Sequence, residues 1–274
     1  MGKLTGKVAF ITGAARGQGR SHALRLAEEG ADIIAVDICR DIESVSYPLG
    51  TSQDLQDTVA QIESLDRRVV HAEVDVRDAA GLRAVLGQGV ADLGGVDIVL
   101  PNAGILGSNP DPGADQDQLF RDVIDINLTG VWNTINAAAP IMIEQGRGGA
   151  IVLTSSTQGI TGRGGDGSGW LSGYCAAKHG VVGLMRSFAN WLAPYNIRVN
   201  SVHPTGVNTP MIMNETVGAM IAERPELAAA LSNLMPVEVI EAIDISNAIA
   251  WLVSDEARYV TGVTLPVDAG FAVK

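Results

Sequence analysis

Basic residues are scarce in this chain: 19 Lys and Arg stand against 31 Asp and Glu, for a formal net charge of −12. Phosphate contacts need clustered cations, so neither a nucleic-acid surface nor an anionic-membrane surface is expected. Cysteine is confined to Cys39 and Cys175, too few for a framework of bridges. Cys175 reads as a packed small residue. The four histidines, His22, His71, His179 and His203, show no ligand spacing, so no metal site is expected and each reads as structural. No apolar run is long enough to span a bilayer, no signal-peptide pattern opens the chain, and Gly6 breaks the myristoylation pattern, which together point to the cytoplasm. No linker, repeat or low-complexity tract divides the 274 residues, 46% of them hydrophobic. One domain with one substantial core is expected.

Against this background, Tyr174-Cys-Ala-Ala-Lys178 stands out, since it sets a phenol and an ammonium four residues apart on one helix face. A free tyrosine is too weak a base near neutrality, but a cation within a few ångströms lowers its pKa by about one to three units. Tyr174 then exchanges a proton with a bound alcohol or ketone. Four Tyr and four Lys in this chain would produce only about 0.06 such matches by chance, which favours function over an ordinary amphipathic helix.

A second device lies near the start. Val8-Ala-Phe-Ile-Thr12 is a short β-branched apolar run, followed by Gly13-Ala-Ala-Arg16-Gly17-Gln18-Gly19 and then helix formers through Glu29, which reads as strand, glycine turn, helix. Glycines let the backbone approach a pyrophosphate, and the helix N-terminus supplies free N–H groups to it. The GxxxGxG spacing alone occurs by chance about 0.5 times in a chain this glycine-rich, so its strand-turn-helix setting carries the argument. Ile33-Ile-Ala-Val-Asp37 then ends a second strand in a carboxylate that suits adenosine ribose hydroxyls and repels a 2′-phosphate, so NAD is expected over NADP. Arg16 and Arg40 pull the other way, since either can meet a phosphate.

Further apolar runs fall at Val69–Val76, Val96–Leu100, Ala150–Thr154 and Ile197–Val202, separated by helical stretches. The pattern is that of an α/β, single-domain, Rossmann-like doubly wound parallel sheet with helices on both faces, in which ligands sit beyond the carboxyl ends of the strands. Asp75, Asn102, Ser156 and Pro204 all follow such ends.

On these motifs the chain resembles the short-chain dehydrogenase/reductase family over essentially its whole length. Thr12 to Gly19 is similar to the family's cofactor turn, with Gly13, Arg16, Gly17, Gln18 and Gly19 as its contacts, and Asp37-Ile38 to its ribose site. Asp75-Val76 resembles the adenine contact, Asn102-Ala103-Gly104 the central-strand motif and Asn127 the helix-kink asparagine. Ser156, Tyr174 and Lys178 match the catalytic serine and YxxxK, and Pro204-Thr-Gly-Val207-Asn-Thr209 the loop that grips the nicotinamide amide. The resemblance implies hydride transfer between NAD(H) and an alcohol or ketone. Tyr174 is then the proton carrier, Ser156 the donor to the substrate oxygen, Lys178 the ribose contact, and Asn127 the holder of a water that links the lysine to solvent. It also implies a homotetramer, which the Tyr259 to Phe271 tail fits.

Three departures from the pattern matter. Pro101 replaces the first Asn of the usual NNAG, Thr205 splits the Pro-Gly pair of the nicotinamide loop, and Gly162 to Trp170 lengthens the span between Ser156 and Tyr174. That glycine-rich stretch is either a border of the substrate site or a disordered surface loop. A further insert, about residues 39–55 and carrying Tyr47, Pro48 and Gly50, resembles the carveol-dehydrogenase-like, mycofactocin-associated branch. That resemblance implies NAD held without exchange under the insert and an external redox acceptor for turnover; a bland surface excursion is the other reading. A substrate lid is expected over about residues 210–236. Its methionines, with Trp170, suit an apolar terpenoid or alicyclic alcohol, although core packing explains them equally. A non-catalytic NAD sensor, a reductase of another carbonyl and a methyltransferase remain as alternatives; a methyltransferase also joins a glycine turn to a second-strand acid but has no use for YxxxK with an upstream serine, and a sensor needs no intact Asn, Ser, Tyr and Lys set.

Overall fold

In the computed structural model, which describes residues 2–107, 109 and 113–274, seven strands form one parallel sheet in the order β3-β2-β1-β4-β5-β6-β7. They are β1 (Val8–Thr12), β2 (Asp32–Asp37), β3 (Val69–Glu73), β4 (Ile98–Leu100), β5 (Gly149–Thr154), β6 (Ile197–Pro204) and β7 (Thr264–Val267). The order reverses between β1 and β4, so the chain leaves a crevice there at the carboxyl ends. Every residue of β1 is buried because helices cover both faces. Val8 and Phe10 belong to one hydrophobic layer and Ala9 and Ile11 to the other, as the period of two along a strand requires.

Nine helices fill the layers among the described residues: α1 (Gly17–Glu28), α2 (Ser52–Glu63), α3 (Ala79–Leu93), α4 (Gln116–Ile124), α5 (Gly130–Gln145), α6 (Gly169–Leu192), α7 (Glu215–Glu223), α8 (Pro225–Ala230) and α9 (Ala242–Val253). Local chemistry sets their ends. Asp78 accepts the Ala80 and Gly81 N–H groups at the start of α3, and Gly94 (φ 94°) closes it in the left-handed conformation. Between α4 and α5, residues Asp125–Thr129 form one π-helical turn.

Two expectations need correction. The insert ends at Thr51, since Thr51 and Asp54 form a reciprocal capping box that starts α2 at Ser52; residues 52–55 are its first turn. The third strand stops at Glu73 and leaves Asp75 and Val76 in the following loop. The strand β7 was not read from sequence: it is short and contains Pro266, which cannot donate to a ladder and is tolerated at this sheet edge. Among the described residues, no helix is long and apolar enough to cross a membrane, and no group of three or more acidic, His or Cys side chains is placed to hold a metal.

Candidate active site

The glycine turn lies at the β1/β4 crevice and is braced from β4. Thr12 Oγ1 accepts the N–H groups of Asn102 (3.0 Å) and Ala103 (3.2 Å), and Asn102 Nδ2 donates to the Thr12 carbonyl at 3.0 Å. A Cβ on Gly19 would lie 1.9 Å from the Gly13 carbonyl oxygen, and one on Gly13 (φ +70°) 2.9 Å from Ala103 Cα. Only glycine fits these two positions. The cleft above is lined by Gly13, Arg16, Gly17, Gln18, Gly19, Asp37, Ile38, Asp75, Val76, Asn102, Ala103, Gly104 and Thr209, which brings together the expected cofactor contacts from β1, β2, β3, β4 and the loop after β6. Gln18 Oε1 is buried in this wall with no hydrogen-bond partner among the described residues. A cleft with a glycine floor, a helix N-terminus and an unpartnered polar atom fits a dinucleotide.

The conflict between Asp37 and the two arginines is decided by contacts. Asp37 Oδ2 accepts the Ala15 N–H at 2.9 Å and Oδ1 the Cys39 N–H at 3.3 Å, which fixes the carboxylate toward the cleft. Burial raises its pKa, and the backbone N–H donors oppose that rise. Arg16 is turned onto the Pro48 carbonyl (2.5 Å), and Arg40 pairs with Asp75 at 3.5 Å. Both guanidiniums are engaged by other groups of the chain, which leaves Asp37 as the carboxylate that lines this edge of the cleft. Asp75 itself is gripped by Arg77 through Nε (3.0 Å) and Nη2 (2.7 Å), an engagement that spacing did not foretell.

The insert contributes a wall of this cleft. Ile42, Tyr47, Leu49 and Gly50 line it together with Pro210 and Met211. Tyr47 is 4% exposed and its hydroxyl accepts the Leu106 N–H at 3.0 Å. Ser46 and Thr216 touch through a hydroxyl-to-carbonyl bond of 3.4 Å, so the insert also meets α7.

At the inner end of the cleft, Ser156, Tyr174, Lys178, Pro204, Val207 and Thr209 converge. The Ser156 hydroxyl accepts the Gln158 N–H at 3.1 Å and lines the same space as Tyr174. Lys178 Nζ lies 5.6 Å from the centre of the Tyr174 ring and donates to the Thr154 carbonyl at 2.9 Å. The expectation that this ammonium lowers the tyrosine is not met. Burial pushes Tyr174 up to about 12, opposed by the nearby Ser156 hydroxyl, and burial pulls Lys178 down to about 8. The helical spacing puts both groups on one face, and desolvation disfavours the charged form of each. Asn127 is fully buried in the π turn, with Oδ1 accepting from the Ile105 N–H and Nδ2 donating to the Ile105 carbonyl, both at 2.8 Å. One acceptor site and one N–H of its amide are thereby fixed to Ile105, in the loop after β4.

Beyond Ser156 and Tyr174 opens a cavity of about 680 Å³. Leu106, Trp170, Leu171, Met220, Leu227, Met235 and Phe271 form much of its wall, under α7 and α8. Of the expected lid methionines, Met220 and Met235 face this cavity and Met211 the cofactor cleft; Met213 is 58% exposed. The stretch from Gly162 to Trp170 borders the site: Asp166 pairs with Arg224 at 2.7 Å, and Arg163 stacks over Phe271 at 5.1 Å. Phe271, read from sequence as part of an oligomer tail, closes the chain's own cavity at 2% exposure. Gln158, another lining residue, escaped notice because a glutamine in a short turn carries no pattern.

The family model for short chain dehydrogenases matches residues 7–218. An oxidoreductase of Mycobacterium tuberculosis is 57% identical over 99% of this chain and 98% of its own length. The (−)-trans-carveol dehydrogenase of Rhodococcus erythropolis is 50% identical over 100% of both chains. The crystal structure of carveol dehydrogenase from Mycobacterium avium in complex with NAD superposes with a TM-score of 0.92, at 50% identity and 100% coverage of both chains.

Proposed function

The chain belongs to the short-chain dehydrogenase family, and from that premise we propose that it is an NAD-dependent dehydrogenase of an apolar secondary alcohol, of the terpenoid or alicyclic class, working reversibly with the ketone. The observation that carries the reading is that Ser156 and Tyr174 line both the inner end of the dinucleotide cleft and the apolar cavity, so that the two spaces meet at these two hydroxyls. Asp37 without a free guanidinium beside it supports NAD over NADP.

When bound, NAD supplies the hydride acceptor. The chain's own residues handle the proton and the oxygen. In the ketone-to-alcohol direction the neutral Tyr174 phenol, the form that burial favours, donates its proton to the carbonyl oxygen as the carbon accepts a hydride; alcohol oxidation is the reverse, in which the minor phenolate form takes the hydroxyl proton as the C–H electron pair leaves and the C=O bond forms. Ser156 donates to the substrate oxygen, where charge develops. Lys178 is assigned to the nicotinamide ribose and the π turn at Asn127 to the proton path behind it. Gly13, Gly17, Gly19 and Gln18 would hold the pyrophosphate; Asp37 and Ile38 the ribose; Asp75 and Val76 the adenine edge; Asn102, Ala103, Gly104, Pro204, Val207 and Thr209 the nicotinamide end. Arg16 serves by holding the insert.

The wall formed by Ile42, Tyr47, Leu49 and Gly50 supports a finer reading in which NAD stays bound between turnovers, an external acceptor reoxidises it, and the chain sits in the mycofactocin-associated branch. One catalytic domain, with a cofactor-side insert and an α7–α8 substrate lid, is the unit proposed. A cytoplasmic homotetramer is the proposed state; exposed Trp132 (48%), Trp191 (47%) and Tyr259 (89%) support self-association, and light scattering of the 28.6 kDa chain would test the subunit number. The central test is direct. Mass spectrometry of ligand released from purified protein should find NAD, and (−)-trans-carveol should then raise the reduced-nicotinamide absorbance. Protein that binds NAD yet oxidises no alcohol from a terpenoid and alicyclic panel would overturn the substrate class.

A further inference from the structure

The hydrogen-bond ladder between β5 and β6 ends just short of the reacting serine. The two strands pair from Gly149 with Ile197 to Thr154 with Val202, and the last rung is the Ser155 N–H on the Val202 carbonyl at 2.9 Å. In a parallel ladder the next donor, onto the Ser155 carbonyl, would be the N–H of residue 204. That residue is Pro204, which has none. β6 runs on beside β7, pairing His203 with Pro266, while the β5 chain turns away into the 3₁₀ turn Thr157–Gly159 with Ser156 as its cap.

At this break the His203 side chain ties the two strands one residue farther along, at Ser156 rather than Ser155. Its Nδ1 lies 2.8 Å from the Ser156 carbonyl oxygen and its Nε2 lies 2.8 Å from Ser201 Oγ. A carbonyl can only accept, so Nδ1 carries the proton and Nε2 accepts from the Ser201 hydroxyl. Both His203 and Ser201 are fully buried, and burial lowers the imidazole pKa, so the donor persists at neutral pH.

Three consecutive residues are thereby tied to separate supports. Lys178 Nζ holds the Thr154 carbonyl, the Ser155 hydroxyl holds the Lys178 carbonyl at 2.9 Å, and His203 holds the Ser156 carbonyl. Among the described residues, the other partner of that carbonyl is the Gly159 N–H at 2.9 Å, inside its own turn. We infer that His203 is a positioning residue for the reaction: through the Ser156 backbone it fixes Ser156 Oγ against Tyr174 and ties it to the strand that carries the Pro204 loop. The inference rests on the roles proposed above for Ser156 and Tyr174. Displacement of a reacting group by about an ångström costs on the order of a hundredfold in rate, so a tie of this kind acts on turnover rather than on binding.

The side chain can be replaced by amides of known reach. In His203→Asn the amide nitrogen falls where Nδ1 stood; in His203→Gln it falls where Nε2 stood. With NAD-loaded enzyme and (−)-trans-carveol, His203→Leu should slow hydride transfer by about ten- to a hundredfold while KM and bound NAD stay unchanged. His203→Asn should recover most of the rate and His203→Gln should not. Independently of turnover, proton–nitrogen NMR of the ligand-free protein should show the Nδ1–H tautomer at His203. A His203→Leu enzyme as fast as its parent, Asn and Leu variants equally slow with NAD retained, or an Nε2–H tautomer would each overturn the inference. Should the Leu variant not fold, the Asn and Gln pair decides. Tyr174→Phe on the same alcohol separates the layers: a fast Tyr174→Phe enzyme sinks the site assignment, whereas a dead one beside a fast His203→Leu enzyme sinks only the role of His203.

Discussion

Tyr47 and Leu106 lie 59 positions apart, yet the Tyr47 hydroxyl accepts the Leu106 N–H at 3.0 Å. Tyr47 lines the cofactor cleft and Leu106 the substrate cavity, so one bond fastens a wall of the first to a wall of the second. A neutral hydrogen bond of this kind contributes about 1 kcal/mol. Tyr47→Phe keeps the ring and its packing and removes the acceptor. Release of bound NAD, followed by stopped-flow dilution into an NAD trap, should accelerate about fivefold. An unchanged release rate would mean that packing of Leu49 and Gly50, rather than this bond, retains the cofactor.

Tyr174→Phe removes the proton carrier and leaves the cavity shape intact. Turnover should fall by at least about a hundredfold, and NAD content by mass spectrometry should equal that of the parent. Substantial turnover in this variant would reassign the acid-base role.

Asp37 defines the ribose edge because Arg16 and Arg40 are engaged elsewhere. Asp37→Ser should shift preference toward NADP by about 1 to 2 kcal/mol, read as the ratio of dissociation constants for the two cofactors. Equal preference before and after the substitution would show that the insert, not the carboxylate, excludes the 2′-phosphate.

His22 sets a pH dependence of stability. It is fully buried, its Nδ1 meets Ser246 Oγ at 2.8 Å, and burial pulls its pKa down from 6.5 to about 3. The unfolded chain therefore binds a proton that the folded chain refuses. The stabilisation is whole above pH 6.5 and is lost as pH falls from there toward 3, with a limiting slope of about 1.4 kcal/mol per pH unit. Urea denaturation across that range should show a shallower slope for His22→Gln than for the parent, and parallel curves would rule out His22 as the titrating group.

The sequence by itself determined the α/β class, the strand-glycine-helix turn at Gly13 to Gly19, the acid at Asp37 and the Ser156, Tyr174, Lys178 set. These are local patterns: strand and helix periods, and glycines where a Cβ cannot fit, are written in consecutive residues. Tertiary structure alone decided how those groups behave. Spacing placed Lys178 beside Tyr174, but only the packing around them showed that burial drives both toward their neutral forms. Composition left Arg16 and Arg40 free to read a phosphate until Pro48 and Asp75 were found to occupy them. His203 read as an ordinary core histidine, and its bond to Ser156 exists because Pro204 ends one ladder where a neighbouring strand turns away. Desolvation and contacts between residues 32 to 47 positions apart depend on what the fold brings together, and no short window along the chain contains both partners.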